Sequence, residues 1–342
     1  MKINNFKRRL LLKSAVVGLS LSLFSGAMTV SAATTLRLST QVQPSSDGHK
    51  FALDFAERVS SATDGRVKIN VYPASQLGDW TEVHEQLMQG AVDIGLQSLS
   101  TKFDKTVALS WFPYAVEDYA GARKAYSKNG YVYEIVSDAI AKQDIKLLSV
   151  YGAGMGGAGF VKPLPHPRDP NASQNSKIRI WPGGTTHRAL MDRFGFNTSP
   201  LPWSDLYVAQ STGVVDGMVG GTATQQLEGF KDITKMWVQY NDHYEPLWLV
   251  MNMQRFEGID EQDQKAMLDV AQKISLERFD AVQAAEEKSL QTLRDAGVEV
   301  VILSKEELAS FSAIARKEVW PKIEGEIGPV AMARLKQELG LQ

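Results

Sequence analysis

The 342-residue chain predicts an α/β protein built as two lobes, and three observations point there. Short apolar runs of period two trade places with runs of helical period along most of the chain, the pattern of mainly parallel sheets covered by helices. Gly90-Ala91-Val92-Asp93-Ile94-Gly95 and Gly213-Val214-Val215-Asp216-Gly217 repeat one turn, each after a helical segment, as two similarly built lobes would. Residues 260–296 contain no Pro or Gly and keep an apolar stripe throughout. At 1.5 Å per residue such a helix reaches ~50 Å, long enough to span both lobes.

The chain opens on an export leader. Five cations and no acid occupy the first thirteen residues (Lys2, Lys7, Arg8, Arg9, Lys13), an apolar stretch follows, and Val30-Ser31-Ala32 supplies small residues for cleavage, so 1–32 reads as a secretory signal peptide. Arg8-Arg9-Leu10-Leu11-Leu12-Lys13 fits a twin-arginine pattern with Leu where Phe is commoner. Gly18, Ser20, Ser22, Ser25 and Gly26 interrupt the apolar stretch and argue against a permanent anchor. Removing the leader's five cations takes the formal charge from −2 to −7, a balance that excludes nucleic acid as an electrostatic partner. The chain has no cysteine, which excludes a disulfide framework, a lipoprotein anchor and a thiol nucleophile.

The elements follow in order. Leu36 to Ser39 alternates as a strand, and 41–48 is a polar loop. Phe51, Phe55 and Val59 form one helical face that stops at Asp64-Gly65, and Val67, Ile69 and Val71 alternate up to Pro73. A second helix ends at Gly90, before a buried strand over 91–96. Two helices divide near Asn129-Gly130, and a strand covers 145–151. The run from Gly152 to Gly157 matches G-x-G-x-x-G, but Pro163, Pro165, Pro167 and Pro170 follow where a helix should open, and no acid stands at the required distance. A crossing between lobes fits this run, since glycine permits close backbone approach. In 177–180, Ile178 and Ile180 point to one face and Lys177 and Arg179 to the other, until Trp181-Pro182 ends the strand. Gly183-Gly184-Thr185-Thr186 opens a helix whose free N–H groups can meet an anion, with His187 either beside a ligand or on the surface. Residues 235–240 and 247–252 read as return crossings, 298–303 as a strand, and Ser304 with Glu307 as a capping box.

Catalytic signatures are missing. There is no G-x-S-x-G elbow, H-E-x-x-H pair or P-loop, and His49, His84, His166, His187 and His243 lack metal spacing, so neither cofactor nor metal is expected. An exported two-lobed α/β protein with a cleft is suited to ligand capture by hinge closure. An Arg at a strand end beside an aromatic is a candidate anion fork, which places Arg179 first.

The segments Gly65-Arg66-Val67-Lys68-Ile69-Asn70-Val71-Tyr72-Pro73-Ala74-Ser75-Gln76-Leu77-Gly78, Gly90-Ala91-Val92-Asp93, Lys177-Ile178-Arg179-Ile180 and Gly213-Val214-Val215-Asp216-Gly217 stand in one order. Together they resemble the extracytoplasmic solute receptors of tripartite ATP-independent periplasmic (TRAP) transporters, of the DctP type, over essentially the whole chain after the leader. The resemblance implies a two-lobed, type II-like periplasmic binding protein with crossing strands and a long lobe-spanning helix. Its lobes would be 34–152 plus 241–282 and 153–240 plus 283–342. It further implies a periplasmic monomer that holds an organic acid anion, a carboxylate or sulfonate, between the lobes and delivers it to the small and large membrane subunits. Arg179 matches the family's bidentate carboxylate ligand and Trp203 an aromatic wall. Gln41, with Gln97 or Ser98, falls where first-lobe polar contacts sit.

Two departures matter. Asp216-Gly217-Met218-Val219-Gly220-Gly221 replaces the family's Asp-Gly-Gln-Glu-Asn-Pro, so Gly220 stands where an Asn contact is due. The second Arg of sialic-acid-binding relatives is missing from 152–160. With Trp111, Trp181 and Trp203 nearby, the expectation shifts to a smaller or more apolar acid. Two other readings stay open on the sequence: a ligand-sensing subunit of a signalling system, and an exported enzyme.

Overall fold

The computed structural model describes residues 33–341; the expected signal peptide and its twin-arginine run lie outside them. Ten strands are found among the described residues. They are β1 (Thr34–Thr40), β2 (Val67–Tyr72), β3 (Ile94–Gln97), β4 (Ile145–Phe160), β5 (Lys177–Ile180), β6 (Asn197–Pro200), β7 (Gly217–Thr222), β8 (Met236–Gln239), β9 (Tyr244–Asn252) and β10 (Glu299–Ile302). Their order is β2-β1-β3-β9-β4-β7-β5-β6, with β8 on β4 and β10 on β8.

Both flanks of this order are parallel, β1 lying between β2 and β3, and β5 between β6 and β7. The centre is not. β9 runs antiparallel to β3 and β4, and β4 runs antiparallel to β7 and β8, so the sheet is mixed where mainly parallel pairing was expected. The physical reason is that the centre consists of chain passing back and forth between the two halves, and a returning strand meets its neighbour head to tail.

β4 is the longest of these crossings. Residues from Ile145 to Met155 pair with β9, and those from Gly156 to Phe160 pair with β7 and β8. The strand therefore continues through the glycine run. At Gly157 a Cβ would stand 2.5 Å from the Trp237 ring and 2.6 Å from the Val238 carbonyl oxygen, so only glycine lets β8 press this close.

The helix Glu261–Asp295 is the second crossing. Asp260 caps its first turn, and Gly297, with φ of 84°, follows its end. Its 35 residues extend about 52 Å at 1.5 Å each. Met267, Ala271 and Ile274 pack with Leu36, Phe55 and Leu247 in one apolar core, whereas Leu290 and Leu293 pack with Met218 and Trp237 in another. Between these cores it is bonded to β4: Ser275 Oγ donates to the Val150 carbonyl at 2.6 Å and Arg278 Nε to that of Gly152 at 2.8 Å. Beyond β10 the chain forms helices over Lys305–Ile314 and Trp320–Glu338, the first opened by the Ser304–Glu307 capping box.

Candidate functional site

The parallel strands converge on one crevice at their carboxyl ends, the position at which α/β sheets of this kind bind ligands. Gln41 follows β1, Ser98 follows β3 and Trp181 follows β5. Gln41 Oε1 accepts the Ser98 backbone N–H at 3.3 Å, tying the ends of two strands together. Arg179 projects from β5 and Gly220 sits in β7.

These residues meet at one cavity, lined by Gln41, Trp80, Ser98, Trp111, Arg179, Trp181, Trp203, Gly220, Gln225 and Glu245. Six of the seven residues expected at a site meet there. Gln97 does not: its Nε2 donates to the Trp80 carbonyl at 3.0 Å. Strand alternation is the reason, since residues 97 and 98 point to opposite sides, and the side that Gln97 faces is the helix packed against β3.

Arg179 is 2% exposed. Its Nε donates to the Leu201 carbonyl at 2.9 Å and its Nη1 to the Val219 carbonyl at 3.4 Å, and its guanidinium carbon lies 5.5 Å from the Trp203 ring centroid. No carboxylate lies within 4.0 Å of it among the described residues. Burial pulls its pKa down to about 10, against the pull of Glu245 and Asp79. It remains a cation at neutral pH, held by carbonyls alone, with Nη2 lacking a protein partner among the described residues.

Indoles form the walls. Trp111 and Trp181 meet at 5.8 Å between ring centroids, and Trp203 packs edge-on against Phe230 at 5.4 Å. Gly220, with φ of 89°, faces the Trp181 ring, so an indole fills the space in which the family's Asn was due. Trp80 begins the helix Trp80–Met88, which Asp79 and Glu82 cap reciprocally, and Gln225 accepts from the Thr222 N–H at 2.9 Å at the start of its own helix.

Sequence reasoning missed Trp80, Gln225 and Glu245 as lining residues. Glu245 carried a signal, because Asp242-His243-Tyr244-Glu245 places an aspartate, a histidine and a glutamate at the head of an apolar strand. All three are buried and bonded in a chain. His187 Nε2 and His243 Nδ1 both contact Asp242 Oδ2, at 3.0 and 2.8 Å, and His243 Nε2 contacts Glu245 Oε2 at 3.1 Å. Burial would lower the His243 pKa, but the Asp242 and Glu245 carboxylates override it and hold it up at about 10. Burial takes His187 down to about 4 and leaves it neutral; it is fully buried, which corrects the surface reading. Asp242 is held below the usual carboxylate range by the two histidines against the effect of burial, and Glu245 is raised by burial. His187, Asp242 and His243 present donor atoms within 4.8 Å of one another, but both ring nitrogens converge on one oxygen at hydrogen-bond distance, the geometry of a charged chain leading to the cavity.

Residues 38–326 match the family described as bacterial extracellular solute-binding protein, family 7 (DctP). The chain belongs to the DctP family. This DctP-family chain is 26% identical over 334 residues to the C4-dicarboxylate-binding periplasmic protein DctP of Rhodobacter capsulatus, covering 96% of this chain and 98% of that one. It is 23% identical to the ectoine-binding periplasmic protein TeaA of Halomonas elongata, covering 84% and 85%. Among solved structures, the DctP-family fold is similar to the sugar acid binding protein DctPAm of Advenella mimigardefordensis in complex with galactonate. The TM-score is 0.81 at 17% identity, over 90% of this chain and 98% of that one. The TRAP-receptor fold and the DctP family expected from the sequence are thus found. Among the described residues no helix is long and apolar enough to cross a membrane.

Proposed function

We propose that this DctP-family solute receptor captures an organic acid anion in the Arg179 cavity and passes it to the membrane subunits of a TRAP transporter. One observation carries the reading: a buried arginine, bonded only to main-chain carbonyls, lines a crevice walled by indoles. A guanidinium out of water without a counter-charge is costly, and an entering carboxylate offsets that cost with paired charge-assisted bonds. Relatives named for C4-dicarboxylates and structures named for galactonate supply the class, an organic acid.

In this reading the protein is a periplasmic carrier and carries out no chemistry. Arg179 is the anchor, Trp181 and Trp203 are walls, Gly220 admits Trp181, and Gln41 with Ser98 comes onto the ligand from the first lobe. Gln97 supports Trp80 from behind. The lobes are 34–152 plus 241–282 and 153–240 plus 283–342, and closure bends the chain where β4 passes from β9 to β7.

The experiment is a thermal-shift screen of the chain without its leader against carboxylates, sulfonates and non-acidic polar solutes. The expected best hit carries an acidic group, and Arg179→Ala abolishes its stabilisation while the circular dichroism spectrum is unchanged. A best hit with no acidic group, still effective on Arg179→Ala, overturns the reading.

A further inference from the structure

Arg179 and Glu245 are opposite charges that line one cavity without touching. Both are buried, at 2% and 5% exposure, yet no contact within 4.0 Å joins them. Each still feels the other: Glu245 supports the charge on Arg179, and although burial raises the Glu245 pKa, His243 and then the guanidinium act against that rise. Buried opposite charges gain most by direct contact. Here each is tied to its own wall: Arg179 by the Leu201 and Val219 carbonyls, and Glu245 by His243 at Oε2. Nη2 of Arg179 and Oε1 of Glu245 lack protein partners among the described residues. The cavity is therefore lined by a guanidinium nitrogen and a carboxyl oxygen that no protein group bonds among the described residues.

The surroundings add to the negative side. Asp79 lies close enough to Arg179 to be felt by it, and its own pKa is raised, first by burial and then by Glu82 and Asp205. Four of the other lining residues are tryptophans, Trp80, Trp111, Trp181 and Trp203, a side chain whose ring face attracts cations. Arg179 thus shares the cavity with Glu245, whose Oε2 is paired with the protonated His243 while Oε1 has no partner among the described residues, and a group of acids lies beside them.

We propose that the ligand is a compact zwitterion, with a carboxylate on Arg179 and a cationic nitrogen turned to Glu245 and the indole faces. This rests on the organic-acid reading and narrows it. A plain monocarboxylate satisfies Arg179 but leaves Glu245 Oε1 facing apolar ligand atoms with no donor, since His243 reaches Oε2 alone. A dicarboxylate brings its second charge against Glu245 and Asp79. A zwitterion adds no net charge to the site and meets both poles. Glu245 is then the residue that sets specificity and Arg179 the one that sets class.

Titration calorimetry on the leader-free chain tests this with L-proline and glycine betaine as zwitterions, lactate as a hydroxy acid, propionate as a plain acid and succinate as a dicarboxylate. At least one zwitterion should bind tenfold or more tighter than lactate, propionate and succinate. Glu245→Gln should weaken that zwitterion at least tenfold while leaving propionate unchanged or tighter. The comparison on the unaltered chain stands even if Glu245→Gln folds poorly. Succinate or propionate as the tightest ligand overturns the inference and leaves the organic-acid reading intact. If none of the five carboxylates binds and a solute without an acidic group does, both fall.

Discussion

A Cβ added to Gly220 would stand 2.4 Å from Cζ3 of Trp181 and 2.6 Å from its Cε3. The two residues occupy adjoining strands' ends, and the indole can lie against the cavity only because position 220 has no side chain. Gly220→Ala should therefore cost stability twice, through the positive φ and through displacement of the ring, about 1–3 kcal/mol in total by chemical denaturation. Adding Trp181→Ala to Gly220→Ala should cost less than the sum of the two single changes, because the clash is then gone. Strict additivity in that double-mutant cycle would refute the steric coupling.

Arg179→Lys tests geometry separately from charge. Lysine keeps the cation but cannot hold the Leu201 and Val219 carbonyls and also present a planar fork to an acid. Affinity for the best ligand of the thermal-shift screen should fall about 10–100-fold in calorimetry, in keeping with ~1.5–3 kcal/mol for a hydrogen bond to a charged group. Retention of affinity would mean that a point charge suffices.

His243 makes stability depend on alkaline pH. Its folded pKa of about 10 lies above the ordinary 6.5, so the folded state holds the proton more tightly. The resulting stabilisation is complete below pH 6.5 and is lost as pH rises through about 10. Denaturation midpoints should fall across that window, and His243→Gln should lower stability at pH 7 while flattening the fall. A wild-type profile level from pH 7 to 10 would contradict the charged chain.

Glu286 acts in a lower window. Burial raises its pKa from 4.5 to about 7, although it accepts bonds from the Tyr119 hydroxyl and, at 3.0 Å, from the Met155 N–H. The folded state again favours the proton, so stability present below pH 4.5 declines as pH rises to about 7, by an amount on the order of 3 kcal/mol. Glu286→Gln keeps a hydrogen-bonding amide without the charge and should remove that slope. Parallel pH profiles for the two proteins would show that the carboxylate does not titrate there.

Much of the fold was legible because period and punctuation agree. Val67, Ile69 and Val71 alternate, Asp260 and Gly297 bracket the long helix, and Ser304 with Glu307 caps the helix that follows. The 152–157 glycines were legible as a crossing only because four prolines ruled out a helix. The antiparallel centre was not legible, since β3 and β9 pair across 150 residues and nothing local records the direction of approach. At the site, Arg179 stood out as a charge inside an apolar strand. Trp80 and Gln225 did not, because each lines the cavity while also beginning a helix, and capping accounts for their neighbourhoods without a ligand. Glu245 was hidden by a similar economy: its burial depends on His243, and the bond between them becomes visible only when β9 is in place.

The position of β9 has a consequence for biogenesis. It lies between β3 and β4 in space, yet it is made after both and after β5 to β8. As the chain emerges from the ribosome, β3 and β4 have no partner along the edges that β9 will cover until residues 244–252 follow, 147 residues after β3 ends and 84 after β4 ends. Open strand edges of this kind invite pairing with other chains. The nascent protein therefore cannot complete its first half early, and its need for protection against aggregation lasts through most of its translation.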